Sequence, residues 1–380
     1  MQFFKDLSLS AFTAGFVAVL VGFTSSVAIV FQAAQAFHAT PDMIASWMWA
    51  LGLGMGLCTL LPSLWWKKPV MVAWSTPGAA VLATAGLTGG FSMAEAVGAF
   101  MVCAALITLC GVTGWFERAM NRIPLALASA LLAYLLGKRW WPRYAVPLTL
   151  LVAIVFVAVT TGFTGAGITF GLASPVWVTP HFTFAALVSL ALPLFIVTMA
   201  SQNLPGVAAI QSTGYGDQRA KGGDAGIPIS KTITLTGVAT LLLAPFGAFA
   251  LNLSAITAAI CMGPEAHSNP ARRYTAAVSC GALYVVIGVF GATITGVLTA
   301  FPKELVAAIA GLALLGTIGG ALTNALQHEP HREAAIITFL VTLSGVVVAG
   351  VGSAFWGVVA GAAALLVQHL GRSTLLRHPD

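Results

Sequence analysis

The feature that most limits what this chain can fold into is how little charge it has to cover a surface. Long apolar runs follow one another with only 17 basic and 11 acidic side chains in 380 residues. Charged residues are 7 % of the chain, against about 25 % in a typical soluble domain. Hydrophobic residues reach 58 %. A water-soluble fold of this length could not solvate its exterior with so few charges. That excludes a soluble enzyme, a nucleic-acid binder and a disordered scaffold. The expected class is an all-α polytopic membrane protein with most of its length in the lipid bilayer.

The net charge of +6 does not point to nucleic acid, because Lys and Arg stand in small groups between apolar runs, as in the positive-inside pattern. Cys58, Cys103, Cys110, Cys261 and Cys280 fall in or beside apolar runs with no metal-ligand spacing. They read as small packing residues. The first apolar run, from Leu7 to about Phe37, is too long for a signal peptide's apolar core.

A helix crosses the ~30 Å hydrocarbon core with about 20 residues. On that measure the apolar runs predict fourteen transmembrane segments. The first seven lie near 8–37, 42–65, 70–87, 93–116, 123–137, 145–161 and 164–180. The second seven lie near 183–213, 228–250, 251–263, 274–301, 304–326, 333–351 and 353–370. With both termini cytoplasmic, most Lys and Arg fall inside, and Lys138, Arg139, Arg143 and Lys303 fall outside. If the weak segments 123–137 and 164–180 do not cross, twelve spans remain and only Lys303 stays outside. Charge slightly favours twelve. The internal correspondence between the halves favours fourteen, as 7+7 inverted repeats over 1–181 and 182–380.

Two segments break the pattern of an ordinary spanning helix. In Pro69–Ala85 a β-branched and aromatic stretch meets Thr76-Pro77-Gly78, a helix-start signal placed in mid-membrane. In Phe246–Pro264 an extended stretch meets the capping types Asn252 and Ser254, then a short helix over Ala255–Met262 ended by Gly263-Pro264. The expectation is two broken spans, the third and the tenth, each a short strand leading into a half-helix. Extended backbone at that depth is tolerated only inside protein or beside a cavity. Such a pair in corresponding positions of two halves marks the central site of a transporter. The helices that open each half add mid-span polar clusters, Thr24-Ser25-Ser26 and Ser201-Gln202-Asn203. Read singly, these are ordinary glue between membrane helices.

Other patterns carry less. Gly52-x-Gly54-x-Gly56 and Gly357-x-x-x-Gly361 lie in apolar helices and read as close helix packing. His328-Glu329-Pro330-His331 reads as a solvated turn. No metal site, cofactor site or catalytic constellation is expected, and the chain does not read as an enzyme.

The run Trp74-Ser-Thr-Pro-Gly-Ala-Ala and the run Asn252-Leu-Ser-Ala-Ile-Thr-Ala-Ala-Ile-Cys-Met-Gly-Pro-Glu-Ala-His267 resemble the benzoate/proton symporter family (BenE type). The resemblance covers essentially the whole chain. It implies a bacterial inner-membrane protein that imports benzoate, or a similar small aromatic carboxylate, together with protons. It also implies a relation to the uracil permease fold, with spans 1–4 and 8–11 as a moving core and spans 5–7 and 12–14 as a gate. A homodimer through the gate spans is the analogous assembly. By the same resemblance Asn252 matches a tenth-span asparagine of the permease. Gln202 stands where the permease has a substrate-binding glutamate, a departure that argues against uracil.

On this reading the substrate-binding residues are Ser25, Thr76, Gly78, Gln202, Asn203, Asn252 and Ser254. The two half-helix starts would offer backbone N–H groups to a carboxylate, from Gly78 and Ala79 on one side and from Ile256 and Thr257 on the other. Neutral Gln202, Asn203 and Asn252 would donate where a glutamate would repel. Phe16, Phe23, Trp47 and Trp74 are candidates for an apolar wall. Every acid falls at a span end or in a loop, so the proton is expected on the substrate itself, with Glu265 and His267 as the competing relay. The alternatives are a transporter of a nucleobase or another small anion on the same fold, an anion channel, and, third, a membrane enzyme.

Overall fold

The computed structural model describes residues 2–24, 26–114, 116, 171–216, 226–299, 332–344 and 353–375. The expected fifth, sixth and twelfth spans, and Ser25, lie outside the described residues.

A short helix α1 (Gln2–Asp6) precedes α2 (Leu9–Thr24) and α3 (Val27–Ala36), which together fill the expected first span with a break in its middle. The long α4 (Pro41–Trp66) follows. It starts where Thr40 caps the Met43 N–H at 3.3 Å and Pro41 supplies a preset first turn. Next come strand β1 (Val72–Trp74), α5 (Thr76–Gly89) and α6 (Met93–Thr113). A capping box between Ser92 and Glu95 starts α6. The next long helix, α7, spans Phe184–Ser212, and α8 spans Ile229–Leu243. Strand β2 (Leu251–Leu253), α9 (Ile256–Met262), α10 (Tyr274–Val289) and α11 (Gly291–Thr299) follow. The described chain ends in α12 (Arg332–Leu343) and α13 (Ser353–Leu375). Among the described residues, five helical stretches are long and apolar enough to cross a membrane: Leu9–Ala36, Pro41–Trp66, Met93–Thr113, Phe184–Ser212 and Ile229–Phe246.

Close helix packing comes from missing side chains. A Cβ at Gly52 would overlap the backbone of Gly288, and one at Gly56 would overlap Gly281 O, so α4 and α10 lie against each other. A Cβ at Gly111 would strike Thr234, and one at Gly237 would strike Thr108, which brings α6 onto α8. Gly357 and Gly361 likewise seat α13 on Thr342 and Thr338 of α12. Both glycine motifs are thus packing devices, and the five cysteines are buried and free.

These contacts have a pattern. Besides α4 on α10 and α6 on α8, α2 packs on α9 and on α10, while α7 packs on α5 and on α6. Helix α3 packs on α5, and the end of α7 packs on α9. Exchanging α2–α3 with α7, α4 with α8, β1–α5 with β2–α9, and α6 with α10 maps this set of contacts onto itself.

The expected seventh span, 164–180, needs correction at its end: residues 171–180 are not helical, and the irregular run continues to 183. Pro175 and Pro180 cannot donate to a helix, and each pushes the residue before it out of helical geometry. The run is tied instead across the ends of other helices. Ala173 N–H reaches Val289 O at 2.9 Å, Val176 N–H reaches Ser46 Oγ at 2.9 Å, and Val178 N–H reaches Pro245 O at 2.9 Å. The expected ninth span also stops early, because Pro245 and Gly247 (φ 101) turn the chain after Leu243. The Trp47 indole occupies the space a Cβ at Gly247 would need, so position 247 demands glycine on both counts.

Candidate functional site

The two broken spans meet. Strands β1 and β2 pair antiparallel with Val72 opposite Leu253, Ala73 opposite Asn252 and Trp74 opposite Leu251. All six residues are buried except the partly covered Ala73. Ser75 N–H donates to Ala250 O and Ser254 N–H donates to Met71 O, each at 3.0 Å, and these bonds extend the pairing at both ends. Each serine then caps the helix after it. Ser75 Oγ accepts from Gly78 N–H at 3.1 Å, and Ser254 Oγ accepts from Thr257 N–H at a long 3.4 Å and from the Thr257 hydroxyl at 2.7 Å. The helix opening each half pins the strand of its own half. Ser26 Oγ accepts from the Trp74 indole N–H at 2.7 Å, and Asn203 Oδ1 accepts from Leu253 N–H at 2.9 Å. In every one of these pairs the first-half and second-half residues play matching roles about the Ala73–Asn252 step.

The cap of α5 differs from the expected one. Ser75 is the cap and Thr76 is the first helical residue, so Pro77 stands second. Gly78 N–H is bonded to Ser75 Oγ, and Ala79 N–H is bonded to Ser75 O at 2.8 Å. Neither is left to face an anion. Pro77 has no N–H, which leaves the Thr76 N–H as the first-turn donor not engaged within the turn. Gly78 has a packing role: a Cβ there would lie 2.6 Å from Leu194 Cδ1 and 2.7 Å from Ser75 Oγ. Ser75 also accepts from the Thr198 hydroxyl of α7 at 2.9 Å.

Helix α7 carries two wide, π-type turns, Leu187–Ala191 and Met199–Asn203. Each lies just before a proline, Pro193 or Pro205. A proline ring crowds the carbonyl four residues back, here Ser189 and Ser201, and a widened turn relieves that contact. The second wide turn holds Ser201, Gln202 and Asn203. Gln202 is partly buried, and its amide has no hydrogen bond among the described residues. Asn203 is fully buried and both ends of its amide are engaged, Oδ1 with Leu253 N–H and Nδ2 with Met199 Sδ at 3.1 Å. Asn203 therefore holds β2 in place instead of presenting a donor.

Asn252 lies in β2 and is not a helix cap. It is fully buried; its Nδ2 donates to Ala250 O at 3.3 Å, and its Oδ1 has no partner among the described residues. Turning the amide over would set Oδ1 against Ala250 O, acceptor to acceptor, so the Ala250 carbonyl fixes its orientation. An unmet buried acceptor costs about 1–3 kcal/mol. Thr76 is partly buried at the start of α5, and Ser254 is buried at the start of α9. Helix α7 packs on α5, on β2 and on α9, so Thr76, Gly78, Gln202, Asn203, Asn252 and Ser254 all belong to one assembly.

The aromatic candidates divide. Phe23 and Trp74 pack together with ring centroids 5.5 Å apart beside Ser26. Trp47 belongs to a separate cluster with Phe100 and Phe249, at 5.5 and 5.8 Å, and Phe16 is exposed. Glu265 and His267 sit on the loop after α9, Glu265 exposed and His267 partly so. His267 Nδ1 accepts from Asn269 N–H at 2.9 Å. Sequence reasoning missed Ser75 and Thr198; a serine three residues before Gly78 and next to Thr-Pro was the available signal.

The protein-family model for the benzoate membrane transport protein (BenE) matches residues 5–133 and 130–367. The chain is 44 % identical over 384 residues to the inner membrane protein YdcO of Escherichia coli (strain K12), covering 94 % of this chain and 95 % of the relative. It is 35 % identical over 390 residues to the benzoate membrane transport protein of Acinetobacter baylyi (strain ATCC 33305 / BD413 / ADP1), covering 96 % of each. An apolar helical bundle built around two paired broken spans, matched along nearly its whole length, belongs to the benzoate membrane transport protein family.

Proposed function

We propose that this protein is a secondary transporter that imports benzoate, or a similar small aromatic carboxylate, across the bacterial inner membrane by proton symport. The observation that carries the reading is the buried β1–β2 pair with a half-helix leaving each end. A channel needs no such centre, whereas alternating access around a fixed midplane site is built on one. The matched roles of Ser75 and Ser254, of Ser26 and Asn203, and the exchangeable helix contacts support 7+7 inverted repeats over 1–181 and 182–380, with spans 1–4 and 8–11 moving against spans 5–7 and 12–14. Both termini lie in the cytoplasm on this reading, and the gate spans form the contact of a homodimer.

The substrate carboxyl group lies between the first turn of α5 at Thr76 and the wide turn of α7 at Gln202, with Phe23 and Trp74 beside the ring. Gly78, Asn203, Asn252 and Ser254 shape that space by holding α5, β2 and α9. Among the described residues the acids stand at helix ends or in loops: Asp6, Asp42, Glu95, Glu265 and Glu333. The proton is accordingly carried on the substrate, whose pKa rises when its carboxylate leaves water. Exchange of radiolabelled benzoate in proteoliposomes tests the substrate class. Excess unlabelled benzoate should abolish the signal while uracil and sulfate leave it unchanged. Competition by uracil or sulfate would move the protein to another substrate on the same fold.

A further inference from the structure

From the geometry we infer that Arg273 is a positioning residue for transport, a clamp that holds the α9 half-helix and the loop behind it in place for substrate binding. This rests on the transport reading above. Helix α9 has only seven residues, and helices that short are not stable by themselves. Its start is held through Ser254 Oγ, by a long 3.4 Å bond from Thr257 N–H and a 2.7 Å bond from the Thr257 hydroxyl. At its other end the Arg273 guanidinium donates through Nη1 to Met262 O at 2.8 Å and through Nε to His267 O at 2.8 Å. One carbonyl belongs to the last residue of the helix and the other to the loop that follows. A planar fork can bridge two carbonyls in this way, and a lysine ammonium cannot reproduce that geometry. The positive charge also lies at the helix C-terminus, where the backbone dipole favours it.

The Tyr215 phenol just past α7 has its pKa raised by burial and lowered in part by the nearby Arg273 charge. The Tyr215 hydroxyl donates to Pro270 O at 2.8 Å. Arg273 thus ties the end of α9 to the 263–270 loop, and Tyr215 ties that loop to the chain leaving α7. Ser254 caps the start of α9, and Gln202 lies in α7. The neighbouring Arg272 has the same charge and a different attachment, an ion pair with Asp6 of α1 at 3.4 Å in which Arg272 is about half exposed and Asp6 is mostly covered. That bond goes to α1 and not to α9 or its loop, so Arg272 is the internal control.

The test compares full-length wild type with Arg273→Gln, Arg273→Lys and Arg272→Gln in proteoliposomes, by benzoate uptake kinetics and by amide hydrogen exchange over residues 254–262. Arg273→Gln should raise the KM for benzoate about tenfold or more with Vmax within about twofold, and should lose protection in that stretch selectively. That KM rise is about 1.4 kcal/mol of lost binding. Arg273→Lys should fall between, and Arg272→Gln should match wild type. An unchanged KM with unchanged protection in Arg273→Gln would overturn the inference. So would an equal effect from Arg272→Gln, or a loss that scales only with the amount of folded protein. If the wild type fails to take up benzoate, the transport reading fails, and hydrogen exchange alone then decides whether Arg273 clamps α9.

Discussion

At the start of the first half-helix, the Ser75 hydroxyl accepts from Gly78 N–H and from Thr198, while its own N–H reaches Ala250 O. Removing that hydroxyl by Ser75→Ala should cost about 1 kcal/mol as a lost helix cap, and more because the Thr198 hydroxyl loses its acceptor. A lower melting midpoint in detergent with reduced uptake per folded molecule is the expected result. Ser254→Ala should cost less, since its cap bond is the longer one. Asn252→Asp puts a carboxylate where the present amide oxygen has no donor among the described residues. Desolvation and repulsion of an anionic substrate in a low-dielectric interior both oppose it. Apparent affinity for benzoate should fall by more than about tenfold, and an unchanged value in the uptake assay would remove Asn252 from the neighbourhood of the substrate.

Elements were legible in proportion to how local their cause is. The strand-to-helix breaks show in the sequence because Thr76-Pro77-Gly78 and Gly263-Pro264 act within a few residues. Residue-level assignments slipped by one place, Ser75 taking the cap expected of Thr76, because caps at adjacent hydroxyl residues differ only in backbone geometry. Asn203 was misjudged because its partner Leu253 N–H lies fifty residues away, and no local pattern reports that. The weak segment 164–180 was carried too far as a helix because it was counted on apolar content although rich in Gly, Thr and Pro, and Pro175 and Pro180 exclude helix at its end. Strand register is the element-scale claim most open to test. Cα atoms of directly opposed antiparallel residues stand about 4.5–5.5 Å apart, within reach of a disulfide. Val72→Cys with Leu253→Cys should therefore cross-link under a mild thiol oxidant, while Val72→Cys with Leu251→Cys should not. Peptide mapping by mass spectrometry reads the result, and the reverse outcome would mean a shifted register.

At the scale of the whole molecule, paired hydrogen bonds and exchangeable contacts relate one half of the described core to the other. A two-state carrier needs such a relation, because inward-open and outward-open forms then become exchanges of equivalent packing. With the proton carried on the substrate, Glu265→Gln combined with His267→Gln should still accumulate benzoate down a pH gradient. A double variant that exchanges benzoate and no longer concentrates it would place the coupling in those side chains. The most direct test of the account is uptake of radiolabelled benzoate by the purified wild-type protein in proteoliposomes, with and without an imposed pH gradient. The expected result is accumulation above the external concentration only when the interior is alkaline, abolished by a protonophore and exceeding protein-free vesicles. Uptake no greater than in protein-free vesicles, or uptake indifferent to the gradient, would contradict it.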